Sequence, residues 1–550
     1  MFLRALQCGA LYLGISSFCT APSTGYGFSP DIKLPRCEYP PLIDATSDQL
    51  LAGLEEGCFS SVDLVNAYIG RIADVNSTLQ VVAELNPEAL DIAKALDYER
   101  QNGEIRGPMH GLPILIKGNI GITGSMPTTA GSYALVNAEL PEDSTIVSKL
   151  KKSGVIIIGM AGMSQWANFR SLNSSNGWSA YGGQVVAAYH PEQDPSGSSS
   201  GSGVASDLGL SFATLGTETS GSIISPGSKN NVVGIKPTVG LTSRYLVVPI
   251  SQHQDTVGPI ARTVKDAAKL LQVIAGPDQA DNYTSAIPFD TIPDYAAACQ
   301  LSALEGKRLG IPQNVLKYSD PAVLTAFNNA VSILEEAGAT IVDNANFTEY
   351  EAFTSTGEAY VKIFNADFIS DLATFFAQLK TNPNNIRSVD ELRTFTQSFP
   401  LEQYPDRDTK SWDAALQLGF NNTSPEFWPL RQGFLPLAAE GGIFGALERD
   451  NLDAVILPSS LSPSVPAVVG SPIITVPMGA YPEGTEVRYN PRGNLVDIGP
   501  GVPMGLSFLG NLWSEESLIG MAYAYEQKSL ERAKLKRYIE PTTELGDVRQ

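Results

Sequence analysis

Residues 112–120 read LPILIKGNI, an aliphatic run in which the single charged residue is Lys117. A run without polar alternation marks a strand buried on both faces, and such a strand demands helices layered on either side of its sheet. VIIIGM (155–160), LDAVILPSS (452–460) and PIITVPMG (472–479) have the same character. Between them the period changes to that of helices. ATSDQLLAGLEEG opens on a capping Thr or Ser, SVDLVNAYIGRI extends the helical pattern of residues 43–75, and STIVSKLKKSG is amphipathic up to Gly154. Helix and buried strand alternate to about residue 345, and EESLIGMAYAYEQKSLERA is a closing helix. The expected fold is α/β, a single large domain with a mixed β-sheet core covered by helices on both faces. The polar stretch 380–425 reads as a surface or lid excursion.

The 550-residue chain carries 37 basic against 58 acidic residues, a formal charge of -21, and no Lys/Arg-rich block. Nucleic acid and anionic membrane are thereby disfavoured as partners. Arg4 followed by ALQCGALYLGISSF and the small residues CTA reads as a secretory leader over residues 1–21, leaving 22–550 as the mature, secreted domain. No later stretch approaches the ~18 apolar residues of a membrane span. Of the five cysteines, Cys8 and Cys19 fall in the leader. Cys37 with Cys58 is then the expected bridge, and Cys299 a free, buried thiol. N-x-[ST] sequons begin at Asn76, Asn173, Asn282, Asn346, Asn421 and Asn422, consistent with a glycoprotein.

PSGSSSGSGVASDLGLSFATLGTETSGSI, from Pro195 to Ile223, is the chemically suggestive stretch. It is no linker, because its apolar middle demands burial, and it holds no P-loop or dinucleotide fingerprint. Gly197 to Gly201 matches G-x-S-x-G, yet that nucleophile elbow needs a late histidine. The chain has only His110, His190 and His253. A buried lysine can replace histidine as base, since desolvation lowers its pKa. Lys117 is the candidate. The S-x-x-K match at Ser148 to Lys151 lies on an amphipathic helix face and is discounted. Residues 202–209 suit a helix of roughly 12 Å, and SFATL a strand that returns a similar distance, which would bring Ser222 beside Ser198. The turn TSGS presents successive backbone N–H groups, as an oxyanion hole requires.

Taken in order, GLPILIKGN, MSQWANFRS, SSNGWSAYGGQ, SGSSSGSG, GTETSGSI, VVGIKPTVGLTSR, ISQHQDTVGPIARTVKDAA, PIITVPMG and GLSFLG resemble the amidase signature family, most closely its peptide amidase-like members. The resemblance spans the whole mature chain. It implies a Ser-cisSer-Lys hydrolase of amide bonds, with Lys117 as neutral base, Ser198 as bridging serine after a cis peptide bond, and Ser222 as nucleophile. It places the amides of Thr219, Ser220, Gly221 and Ser222 in an oxyanion hole, with Ser199, Tyr181 and Gln184 as substrate contacts. It implies a small-molecule or peptide amide substrate, no cofactor and no metal. Gly118, Ser220 and Tyr181 depart from residues common in the family, which implies altered specificity. Acyl transfer by the same chemistry, and a silent binding homologue, are the alternatives.

Overall fold

The expected alternation begins with the first elements. Thr46 caps α1 (Ser47–Glu55), accepting the Gln49 N–H at 3.4 Å. Ser60 caps α2 (Ser61–Leu79) reciprocally: its hydroxyl accepts the Asp63 N–H at 3.1 Å, and the Asp63 carboxylate accepts the Ser60 N–H at 2.8 Å. The helical pattern from Ile43 is therefore two helices, broken at Gly57, where φ is 69°. The amphipathic stretch after Ser144 forms α3 (Thr145–Lys152).

The computed structural model describes Cys37 and residues 39–548; the expected leader lies outside the described residues. From Tyr39 onward they form one compact unit. Its centre is an eleven-stranded mixed sheet: β1 (Val82–Leu85), β2 (Pro113–Lys117), β3 (Ile156–Ala161), β4 (Ala213–Glu218), β5 (Val233–Lys236), β6 (Thr256–Ala261), β7 (Arg308–Ile311), β8 (Thr340–Asp343), β9 (Ala454–Pro458), β10 (Ile473–Ala480) and β11 (Pro503–Leu509). The spatial order is β1-β3-β2-β4-β6-β5-β10-β11-β9-β7-β8. Every residue of β2, β3, β4, β6, β9 and β11 is buried, whichever face it points to. Both faces of the sheet are therefore covered, as the aliphatic runs require.

Strand β2 runs parallel to both β3 and β4, with Ile116 opposite Leu215. Their C-terminal ends share one edge of the sheet, which puts Lys117 beside residues 217–218. Strand β2 stops at Lys117 rather than running on to Ile120, because the chain turns and the Ile120 N–H bonds back to the Lys117 carbonyl at 2.9 Å. The crossover helix between β3 and β4 is α4 (Ser200–Asp207), two residues earlier than its sequence suggests. It lies so close to β3 that a Cβ on Gly201 would meet Gly162 N at 2.5 Å. Running antiparallel to β4, α4 starts at the edge where β2 and β4 end.

Beyond residue 345 a helical segment precedes β9. It includes α5 (Gly357–Gln378), α6 (Val389–Ser398) and α7 (Lys410–Gln417). The stretch 380–425 thus carries two α-helices and is docked. Leu392 and Trp412 are fully buried, and Trp412 meets Trp166 edge-on with centroids 5.9 Å apart. Glu402, also fully buried, pairs with Arg170 at 2.7 Å and accepts from Ser132 Oγ, Tyr133 N and Gln165 Nε2 at 2.6–2.8 Å. A buried ion pair is tolerable when most of its remaining lone pairs and protons are met in this way; here Arg170 Nε is left without a partner among the described residues. The closing helix is α8 (Glu515–Ser529).

Cys37 and Cys58 are each disulfide-bonded. Cys299 is the free cysteine among the described residues, and it is half-buried rather than fully enclosed; burial still pushes its thiol up to about 12. Among the described residues no helix is long and apolar enough to cross a membrane.

Candidate active site

Lys117, the last residue of β2, has no solvent exposure. Its Nζ lies 2.8 Å from Ser198 Oγ, 2.9 Å from Thr217 Oγ1 and 3.1 Å from the Thr217 carbonyl. Burial drives its pKa down from 10.5 to about 7; the charges of Asp255 and Glu218 oppose that fall without cancelling it. An uncharged amine has two N–H donors and one lone pair. With Thr217 O and Oγ1 taking the donors, the lone pair faces the Ser198 hydroxyl, which can then donate to it.

Ser198 follows a cis peptide bond with Gly197 and is itself fully buried, whereas Ser222 keeps 7% exposure. Of the three groups, Ser222 is the one a substrate can meet. The two serines belong to one assembly, because the Ser222 carbonyl accepts the Ser199 N–H at 3.2 Å.

The turn after β4 is shaped by a residue whose role the motif alone does not reveal. The Glu218 carboxylate is buried and accepts three backbone N–H groups: Gly221 at 2.7 Å through one oxygen, Ile223 at 2.7 Å and Ile224 at 3.0 Å through the other. Folding the chain over its own carboxylate needs a left-handed residue, and Gly221 takes φ 82°. The same bond corrects the expected oxyanion hole. The Gly221 N–H is committed to Glu218, while the amides of Thr219, Ser220 and Ser222 donate to no protein group among the described residues. Thr219 is fixed at its side chain, donating to Asp255 Oδ1 at 2.5 Å.

A cavity of about 300 Å³ opens beside Thr217 and Thr219, walled by Asn119, Val248, Ile250, Asp255 and, from α5, Phe375. The expected substrate contacts are not in that wall. Ser199 is fully buried and braces β4, donating to the Thr217 carbonyl at 3.1 Å. Gln184 donates to the carbonyls of Asn176 and Val185 within its own loop. Tyr181 donates to Glu84 at 2.8 Å, which with burial raises its phenol to about 12, and it lines a smaller cavity with Gly118 and Met163. Short loop residues read as contacts from a motif are here engaged in holding the loops themselves.

No histidine reaches either serine. His253 Nδ1 lies 2.9 Å from Asp367, His110 Nε2 lies 2.9 Å from the Leu96 carbonyl, and His190 Nδ1 lies 2.8 Å from the Pro191 carbonyl. Lys151, of the discounted S-x-x-K match, pairs with Asp143 at 2.7 Å.

Comparison with known proteins shows the family. The family model described as Amidase matches residues 63–466. A protein of Arthroderma benhamiae that bears the name amidase is 54% identical over 99% of this chain and 98% of its own length. The solved structure of native peptide amidase from Stenotrophomonas maltophilia superposes with a TM-score of 0.80 at 36% identity, covering 91% of this chain and 99% of the other. A structure of peptide amidase bound to the competitive inhibitor chymostatin gives a TM-score of 0.81 at the same 36% identity. A lysine strand, a serine-glycine loop and a glycine turn converging at one sheet edge, in a chain matched over nearly its whole length, make this protein a member of the amidase signature family and a hydrolase of amide bonds.

Proposed function

We propose that the protein hydrolyses small carboxamides and C-terminal peptide amides through an acyl-enzyme on Ser222, with Ser198 relaying protons to and from Lys117. The observation that carries this reading is the fully buried amine of Lys117 held 2.8 Å from Ser198 Oγ. Ser222 Oγ attacks the amide carbonyl carbon, its proton passes to Ser198, and the Ser198 proton passes to Lys117 Nζ. The carbonyl oxygen becomes an oxyanion facing the Thr219, Ser220 and Ser222 amides, where each donor is worth about 3 kcal/mol in such sites. The C–N bond breaks as the relay returns a proton to the departing nitrogen. Water then attacks the ester carbonyl, the relay takes its proton, and Ser222 leaves as the hydroxyl. The structural likeness to peptide amidase supports the carboxamide class.

A protonated Lys117 cannot accept a proton, so kcat/KM rises about tenfold per pH unit below about 7 and levels off above it. Ammonia release from a neutral carboxamide, followed from about pH 5 to about pH 9, tests this. A profile flat across pH 7 would remove Lys117 as the base.

We further propose secretion, with glycans on Asn173 and Asn282. The disulfide-bonded Cys37 and Cys58 support an oxidising compartment. The side chains of Asn173 and Asn282 are exposed, Asn173 making one exposed bond to the Asp406 carbonyl at 3.3 Å, whereas the Asn76 amide is bonded on both sides to Val82 and the Asn422 amide donates to buried Asp367. Material from a secretory host should lose mass on glycosidase treatment. An unchanged loss after replacing both Asn173 and Asn282 with Gln rejects these two acceptors.

A further inference from the structure

The cavity beside Thr217 and Thr219 is larger than the chemistry described so far requires. When a primary carboxamide is cleaved the departing group is ammonia, which needs almost no room. A space of about 300 Å³ that adjoins the Thr219 oxyanion donor therefore serves the acyl side of the substrate, the part that stays on Ser222. What it accepts depends on which groups of its wall are still free to meet a guest.

The charged groups of the wall are engaged. Arg244 gives Nε and Nη2 to the two Asp281 oxygens at 2.7 Å each. Asp255 accepts from Thr219 Oγ1 at 2.5 Å and from the Ile250 and Ser251 N–H groups at 2.7 and 3.0 Å. Asp371, on α5, accepts the Gln252 N–H at 2.6 Å, the Gln252 side-chain amide at 3.0 Å and the Asn422 amide at 3.2 Å. A guest that displaced these donors would leave them unpaired. Asp255, Asp281 and Asp371 also stand in the wall against a single guanidinium among the described residues, so an anionic guest is repelled.

The apolar part of the wall is the opposite case. Along residues 246–250 the chain alternates: Leu246, Val248 and Ile250 join the hydrophobic cluster that holds Phe375, whereas Val247 belongs to the core of the sheet. Backbone bonds fix this segment, the Val248 N–H donating to the Asn119 carbonyl at 2.9 Å and the Ile250 N–H to Asp255. Phe375 closes the cavity from α5. An apolar guest would cover this surface and break no hydrogen bond.

We propose that the cavity is the acyl-side pocket, that it takes an apolar side chain next to the scissile carbonyl in preference to a charged one, and that Phe375 is the specificity-determining residue of its wall. The inference rests on the hydrolysis proposed above and names the substrates which that hydrolysis selects.

The test is ammonia release from the N-acetyl α-amides of glycine, phenylalanine, methionine, glutamate and lysine. It is run near pH 8, where Lys117 is uncharged and Asp371, pushed up to about 7 by burial and by neighbouring Asp367, is ionised. The expected kcat/KM for the phenylalanine amide exceeds that for the glycine amide by about a hundredfold, and the methionine amide exceeds the glutamate and lysine amides by about tenfold. Phe375→Ala should shrink the phenylalanine-to-glycine ratio about tenfold. Phe375→Leu, which keeps the site filled, should shrink it in the same direction and serves where alanine does not fold. A glycine amide cleaved as well as the phenylalanine amide, a glutamate or lysine amide cleaved faster than the methionine amide, or a ratio unmoved in the folded Phe375 variant overturns the proposal. Ammonia from none of the five amides overturns the hydrolysis itself and this inference with it, whereas an even rate across all five sinks this inference alone.

Discussion

Replacing Lys117 with methionine is expected to abolish turnover and, at neutral pH, to make the protein more stable. The loss of activity follows from removing the base and the end of the relay, an effect of about 10³–10⁴ in rate where such groups have been deleted. The gain in stability follows from the same burial that makes the lysine useful. In the unfolded chain Lys117 titrates at its ordinary 10.5, and in the folded protein at about 7. Between those values the unfolded state binds more protons than the folded one, so the stability of the wild-type protein rises with pH across that window. Below about pH 7 the burial penalty is fully present and of the order of 5 kcal/mol. Methionine removes it and leaves Ser198 Oγ without its Lys117 partner, a smaller loss, while both Thr217 acceptors keep a donor. Thr217 O still accepts from Ser199 Oγ at 3.1 Å, and Thr217 Oγ1 from Asn119 Nδ2 at 3.1 Å. Denaturant unfolding of both proteins near pH 6.5 and near pH 9.5 should show a gain of a few kcal/mol that shrinks at the higher pH. A variant less stable than wild type at both, or one that keeps wild-type turnover, refutes the buried-base account.

Ser222→Ala should cut kcat by about 10⁴–10⁶, the range seen when a serine nucleophile is lost. It should also eliminate covalent labelling by a fluorophosphonate, and the fold should survive. Ser222 helps tie the turn to the serine-glycine loop through its carbonyl, which alanine retains. The exposure difference makes the experiment decisive between the two serines. Ser198 is fully enclosed and bonded to Lys117, whereas Ser222 keeps 7% of its surface. Labelling that persists in Ser222→Ala and disappears in Ser198→Ala would exchange their roles.

Much of this was legible in the chain because the constraints are local. An aliphatic run announces a buried strand, and β2 ends on Lys117, whose amine the run by itself left free either to be buried or to reach solvent. Serine and glycine packed around an apolar segment announce close backbone approach, met at Gly201 against β3. What was missed is of another kind. Glu218 sits in the quoted GTETSGSI, but nothing local says that its carboxylate will turn back and take the Gly221 N–H. An acid closing a buried strand just before a glycine turn was the available signal. Ser199 and Gln184 looked like contacts because the resemblance compares positions and cannot tell a residue that faces a cavity from one whose polar atoms are bonded to its own backbone surroundings.

Which segments would be buried and where strands and helices alternate followed from the order of side chains, since hydrophobic period acts over a few neighbours; whether the strand-end Lys117 would be buried or reach solvent did not. Only the tertiary structure decided which partners meet. Lys117, Ser198 and Thr217 come from segments up to 100 residues apart, and α5, more than a hundred residues further on, supplies Phe375 to the surroundings of the site. Such meetings depend on parallel pairing, crossover and the docking of helices. Those are set by how whole surfaces fit together, and no short stretch of sequence encodes them.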